Sequence, residues 1–148
     1  MIDRAVQTLL MFTIDPIAEE TACPRSYGYR LHRGVKDCAV YLWMVSANPT
    51  ANRRFILEAD IKGFFPSVCH KWLLENIPMD KRILKEFLKA GYMEEASLQP
   101  TLEGFPQGSP ISPPLANLAL NGLEKILREQ DFLTTRYADD FVVLGKSE

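Results

Sequence analysis

The stretch Arg136-Tyr137-Ala138-Asp139-Asp140-Phe141-Val142-Val143-Leu144 sets two adjacent carboxylates between an aromatic residue and a run of apolar side chains. Adjacent aspartates repel each other, and each resists burial unless something positive holds it. The apolar flanks put the pair at the edge of a core, where that cost is highest. A divalent metal is the simplest compensation. A solvated Asp-Asp turn between two strands is the plain alternative, since Asp is common in turns. The stretch alone does not choose between them. The choice depends on whether the chain also holds a third carboxylate, a phosphate site and a place for a nucleic acid.

A third carboxylate is available upstream. Arg54 to Ile61 reads as a strand, with Phe55, Leu57 and Ala59 on one side and Ile56, Glu58 and Asp60 on the other. Lys62-Gly63-Phe64-Phe65-Pro66-Ser67 leaves it for a turn. Tyr137 to Leu144 reads as a hairpin with the Asp pair at its turn. If these strands neighbour each other in one antiparallel sheet, Asp60, Asp139 and Asp140 converge at one end. Three carboxylates can hold two Mg²⁺ ions about 3.5–4 Å apart, the spacing of phosphoryl-transfer sites. Mg²⁺ takes hard oxygen ligands and completes its octahedron with water and substrate phosphates. One ion would lower the pKa of an attacking 3′-hydroxyl and the other would neutralise a leaving pyrophosphate, so the protein supplies mainly positioning and charge.

The remaining segments frame these two. Ile2, Ala5, Val6, Leu9 and Leu10 repeat at helical spacing, and that helix is expected to end near Pro16. Residues 20–33 read as a loop or irregular strand pair. Val35, Cys38, Ala39, Leu42 and Trp43 return to helix until Asn48-Pro49, and Asn48 to Asn52 is a turn. A short helix is expected from His70 to Asn76, with His70 at its start rather than in catalysis. Asp80 is a good N-cap for a helix presenting Ile83, Leu84, Phe87 and Leu88 on one face, with Gly91 just beyond its end. Residues 92–98 and 101–103 are expected to pair around Gln99-Pro100. Gly104 to Pro114 is too rich in Gly, Pro and Ser for a helix or strand interior. It feeds a helix with Leu115, Leu118, Ala119, Gly122, Leu123, Ile126 and Leu127 on one face, and Glu124 and Arg128 as an i,i+4 pair.

Composition excludes some classes. The 148 residues suffice for one domain with a core, and 47% hydrophobic with 24% charged residues is ordinary for a soluble protein. No apolar run approaches the ~20 residues that span a membrane. Met1 to Val6 is too acidic and polar for a secretory signal, which points to the cytoplasm. Cys23, Cys38 and Cys69 form no Cys-x-x-Cys pair and no zinc spacing with His32 and His70. They are expected to be reduced, with Cys38 and Cys69 buried. The net charge of −2 does not advertise nucleic-acid binding. Locally, though, Arg25, Arg30, Arg33 and Lys36 are interrupted by no acid, and Arg53-Arg54 follow: a phosphate-binding cluster or a solvated face.

Three motifs then stand in order: Asp60-Ile61-Lys62-Gly63-Phe64-Phe65, Gly104 to Pro113 with Leu115-Ala116-Asn117, and Tyr137-Ala138-Asp139-Asp140. Together they resemble the fingers–palm core of a reverse transcriptase of the bacterial group II intron type, and Ser26-Tyr27-Gly28-Tyr29-Arg30 with Arg33 is similar to that family's fingers. The resemblance covers residues 3–146. It implies an α+β fold, an antiparallel palm sheet with packed helices in a right-hand polymerase, truncated before the thumb. Residues 54–66 and 105–148 would be palm, and 1–53 and 67–104 fingers-side and helical elements. It implies Asp60, Asp139 and Asp140 as catalytic carboxylates holding two Mg²⁺ ions, or Mn²⁺ in their place, with the Ile61 carbonyl as a further ligand. It places Phe65 under the sugar of an incoming dNTP, where a ring would clash with a 2′-hydroxyl, and leaves Phe64 to the core. It places Gln107 against the incoming nucleotide. Arg30 and Arg33 would bind the triphosphate, guanidinium gripping phosphate bidentately, and Lys62 the triphosphate or a template backbone. The implied partners are an RNA template, a DNA primer, dNTPs and intron RNA, with no membrane.

The chain departs from the family pattern at Pro66, Phe105 and Ser109, none of them a metal ligand. The family continues into a further part of the palm and a basic helical thumb, so the 148 residues are expected to be a fragment, a truncated copy or a partial product. Two other readings compete with an RNA-directed DNA polymerase. One is a catalytically silent, maturase-like RNA-binding module. The other is an RNA-templated RNA polymerase, against which Phe65 and Tyr137-Ala138-Asp139-Asp140 argue.

Overall fold

Alternation in the two apolar runs around the aspartates produces one antiparallel sheet. A computed structural model describes residues 2–48, 52–94, 97–105 and 108–147. In chain order the elements are α1 (Ile2–Thr21), α2 (Val35–Ser46), β1 (Phe55–Asp60), α3 (Phe64–Ser67), α4 (His70–Asn76), α5 (Lys81–Lys89), β2 (Tyr92–Glu94), β3 (Ser97–Gln99), α6 (Ser112–Leu120), α7 (Leu123–Glu129), β4 (Leu133–Tyr137) and β5 (Asp140–Gly145). The fold is α+β, as expected: helices with a three-stranded antiparallel sheet of order β1-β5-β4 and a separate hairpin β2-β3. No helix among the described residues is long and apolar enough to cross a membrane.

The chain divides into two compact units. The sheet belongs to the unit built from residues 21–61 and 120–148. There α2 and α7 pack on β4. The outer edge of β4 is closed by residues 25–27: Arg136 N–H donates to the Arg25 carbonyl at 3.0 Å, and Tyr27 N–H to the Arg136 carbonyl at 2.9 Å. The opposite edge, β1, pairs with no further strand among the described residues. Phe55, Ile56 and Leu57 all remain exposed there, against the half-buried strand that their alternation predicts.

The other unit, residues 1–20 and 62–119, buries Leu73, Ile77, Leu84, Leu88, Ile111 and Leu115 completely. Asp80 caps α5 as expected, accepting from Arg82 N–H and Ile83 N–H. His70 opens α4, and its ring nitrogen meets the Gly104 carbonyl at 2.6 Å, a packing role.

Several expectations are corrected. The first helix runs through Pro16 to Thr21. Proline deprives only the Phe12 carbonyl of its partner, Phe12 is solvent-exposed, and Ile14 and Ala18 are buried on either side. Residues 62–67 are not all turn, since Phe64–Ser67 makes one helical turn. In the hairpin, Tyr92 pairs with Gln99 and Glu94 with Ser97, so Gln99 ends a strand rather than opening a turn. The helix after Pro114 is two helices, because Gly122 at φ +100° cannot continue the first. Prolines 113 and 114 lie inside α6, in its first turn, where their missing N–H groups cost nothing. Ile83 is 44% exposed, off the buried face of α5. Cys38 is buried, but Cys69, just before α4, is exposed.

Candidate functional site

The register of the sheet decides where the carboxylates go. Asp60, the last residue of β1, stands directly opposite Asp140, the first residue of β5. Directly opposed residues point to the same face with their β-carbons about 4.5–5.5 Å apart. On the other side of Asp140 its partner is Tyr137. Ala138 and Asp139 form the tight turn between β4 and β5. Thus Asp60, Asp139 and Asp140 are gathered at one end of the sheet, within one compact unit, with Ile61 following at the strand end.

Like charges opposed across a ladder repel. Asp140 shows it: partial burial, and then the charges of Asp60, Asp139 and Glu58, push its carboxyl above the ordinary range. Glu58 was not a predicted site residue, although strand alternation already put it on the Asp60 face. The carboxylates also act on Tyr29, whose phenol is pushed up first by burial and then by Asp139, Tyr137 and Asp140.

The turn itself is strained and held. Ala138 has φ +57°, a left-handed conformation that costs a non-glycine residue roughly 1–2 kcal/mol. Two contacts over-determine it. The Arg136 guanidinium donates to the Ala138 carbonyl at 2.8 Å. Gly28 backs onto the same residue so closely that a β-carbon there would lie 2.2 Å from the Ala138 nitrogen. Arg136 is 1% exposed and is itself fixed by Glu124 of α7, whose carboxylate accepts from Nε at 2.7 Å. This corrects the expected Glu124–Arg128 pair: Glu124 turns inward to Arg136, while the Arg128 guanidinium reaches the Cys23 sulfur at 3.9 Å. A buried cation is a stronger claimant on a carboxylate than a solvated neighbour one helical turn away.

A divalent cation fits the donor set in one respect: clustered hard carboxylate oxygens that repel one another gain from a cation between them. Among the described residues no three Asp, Glu, His or Cys side chains form a ready-made cage. Mg²⁺ commonly uses only one or two carboxylates and completes its shell with water and substrate phosphate.

The other predicted site residues are distributed as follows. Arg30 donates from Nη1 to the carbonyls of Cys23 and Ser26 at 2.6 and 2.7 Å, and Arg33 from Nη1 to the Pro24 carbonyl at 2.6 Å. Both therefore staple the 23–33 loop, where Tyr29 and His32 also adopt positive φ. Lys62 and Phe65 belong to the other unit. Lys62 is exposed. Phe65 is half-buried and makes edge-to-face contacts with Phe64 and Phe105 at centroid distances of 5.8 and 5.6 Å. Phe64 is buried, as expected of a core residue. Gln107 lies outside the described residues, as does Pro106.

The sheet register thus sets an opposed Asp pair beside a third Asp at the adjoining turn. Residues 1–148 match the family described as reverse transcriptase (RNA-dependent DNA polymerase), and the chain belongs to that family. Protein YkfC of Escherichia coli (strain K12) is 32% identical over 136 residues, covering 86% of this chain and 35% of that protein. Group II intron-encoded protein LtrA of Lactococcus lactis subsp. cremoris is 32% identical over 133 residues, covering 86% of this chain and 21% of that one. A solved partial Cas6-RT-Cas1–Cas2 complex aligns over 80% of this chain and 22% of its own, at 29% identity and a TM-score of 0.37. The chain thus spans 35% and 21% of the length of the two curated relatives named.

Proposed function

We propose that the chain is the fingers–palm core of an RNA-directed DNA polymerase of the group II intron type, adding dNTPs to a primer 3′-hydroxyl on an RNA template. The observation that carries this reading is the register match that opposes Asp60 to Asp140 with Asp139 one residue away. Asp60, Asp139 and Asp140 would hold two Mg²⁺ ions, or Mn²⁺, with the Ile61 carbonyl assisting. When bound, the ions supply Lewis acidity at the attacking hydroxyl and charge neutralisation at the leaving pyrophosphate. The chain's own part is placement. The β1–β5 ladder fixes the spacing of Asp60 and Asp140, and the held turn aims Asp139. Phe65 would select against a 2′-hydroxyl, and Gln107 would contact the incoming nucleotide. Arg30 and Arg33, which also staple their loop, would approach the triphosphate, and Lys62 the triphosphate or the template backbone.

Primer extension on an RNA template with Mg²⁺ tests the proposal, comparing the wild type with Asp139→Asn and Asp140→Asn. Extension by the wild type and loss to background in both variants is expected. Equal activity in all three overturns the carboxylate assignment. No extension by the wild type overturns catalysis by this chain and leaves the maturase-like RNA-binding reading. That reading requires RNA affinity falling steeply with salt.

A further inference from the structure

We propose that Arg136 is a positioning residue for the carboxylate turn, holding the Ala138 carbonyl so that Asp139 and Asp140 keep the geometry in which they take a divalent cation. The inference rests on the carboxylate–metal reading above. Arg136 lies in β4 opposite Phe141, whereas Tyr137 lies opposite Asp140. Strand alternation therefore starts the Arg136 side chain on the face away from Asp140. From there two of its guanidinium contacts bear on the turn. Nε is taken by Glu124 at 2.7 Å, and Nη1 donates to the Ala138 carbonyl at 2.8 Å. Its backbone is pinned as well, to the carbonyl of Arg25 and the amide of Tyr27.

The cost of this arrangement argues for a role beyond holding the fold together. Arg136 and Glu124 are 1% and 2% exposed at their side chains, and the second oxygen of Glu124 is buried with no hydrogen-bond partner. A buried pair with an unsatisfied carboxylate oxygen is a poor stabiliser compared with apolar residues of similar volume. What an apolar pair cannot do is grip a carbonyl. The carbonyl gripped belongs to the one residue of the turn with positive φ, immediately before Asp139. With Gly28 walling Ala138 from the other side, the left-handed turn is enclosed before any ion arrives. Outer partners that orient metal ligands typically change affinity by about 10- to 100-fold when removed.

Two variants separate positioning from folding. Arg136→Lys keeps a cation beside Glu124 but lacks the planar fork that serves two acceptors. Arg136→Met with Glu124→Leu replaces the pair by apolar side chains. Three quantities are read on the full chain: thermal midpoint, amide hydrogen exchange of residues 138–140 in metal-free buffer, and Mn²⁺ affinity by electron paramagnetic resonance. The expected result is a preserved midpoint in the double variant, faster exchange confined to residues 138–140, and Mn²⁺ binding weakened about 10- to 100-fold. Arg136→Lys should move the last two readouts in the same direction. Unchanged turn exchange and unchanged Mn²⁺ affinity in a folded variant overturn the proposal. So does faster exchange throughout the sheet with a lowered midpoint in both variants, the pattern of a merely structural pair. If the wild type binds Mn²⁺ no better than Asp140→Asn, the metal reading fails, and exchange at residues 138–140 alone decides whether Arg136 holds the turn.

Discussion

Gly28→Ala measures how closely the carboxylate turn is enclosed. The α-carbon of Gly28 faces Ala138 so nearly that an added methyl would stand 2.2 Å from the Ala138 nitrogen, 2.8 Å from its α-carbon and 3.0 Å from its β-carbon. Real β-carbons essentially never approach below 3.0 Å, so the two backbones must separate by at least 0.8 Å, the difference between 3.0 and 2.2. Gly28 is not among the glycines with positive φ, so this contact alone carries the effect. Neither wall gives freely. Residues 25–27 are bonded to β4 on one side, and Arg136 grips Ala138 on the other. Overpacking of this kind costs about 1–3 kcal/mol. At this chain length each kcal/mol moves the thermal midpoint by about 2–4 °C, so calorimetry should record a fall of about 2–12 °C. The displacement lands one residue before Asp139, and a misplacement near 1 Å costs on the order of 100-fold in rate. Primer extension should therefore fall further than the stability loss explains at a temperature where the variant is folded. An unchanged midpoint together with unchanged extension would refute the enclosure.

Asp131 accepts from Lys146 at 2.6 Å and from Arg53 at 2.8 Å, and these bonds hold its carboxyl below the ordinary 3.8. A carboxyl lowered by folding adds stability that is complete above its unfolded value and lost as pH falls through the folded one. Melting curves taken from about pH 5 down to about pH 2 should thus decline more steeply for the wild type than for Asp131→Asn. Parallel declines would contradict the pairing. Cys69 is exposed and Cys38 buried, with the Cys38 thiol pushed up by burial. Ellman's reagent should modify Cys69 in the native protein and reach Cys38 only on unfolding. Equal rates at the two would place Cys38 wrongly.

Signals that act within a few residues are legible in the sequence. The hairpin around Asp139-Asp140, the strand ending at Asp60, the helix opening at His70 and the Asp80 cap all follow from local alternation, capping and turn chemistry. Glu124 was misread because the i,i+4 rule looks only along the helix. Its actual partner, Arg136, lies twelve residues on and across to β4. Gly122 looked like one more small residue on an apolar stripe, whereas its positive φ splits the stripe into α6 and α7. Pro16 reads locally as a stop, yet burial of Ile14 and Ala18 outweighs one lost backbone bond. Arg30 and Arg33 read from the sequence as candidate triphosphate ligands; that they also bond the carbonyls of Cys23 and Pro24 shows only in the folded loop. The candidate site was legible as three carboxylates. The Arg136–Ala138–Gly28 enclosure was not, because positive φ at an alanine leaves no mark in composition.

The opposition of Asp60 to Asp140 also sets how the gene can change length. Side chains in a strand alternate, so a shift of one residue turns every one of them to the other face. A single in-frame codon gained between Phe55 and Ala59 would exchange the acidic and apolar sides of β1 with the overall composition nearly unaltered. The same codon gained in the 29–34 loop would leave the ladder as it is. Among diverging copies of this gene, insertions and deletions within β1 should therefore come in pairs or be purged.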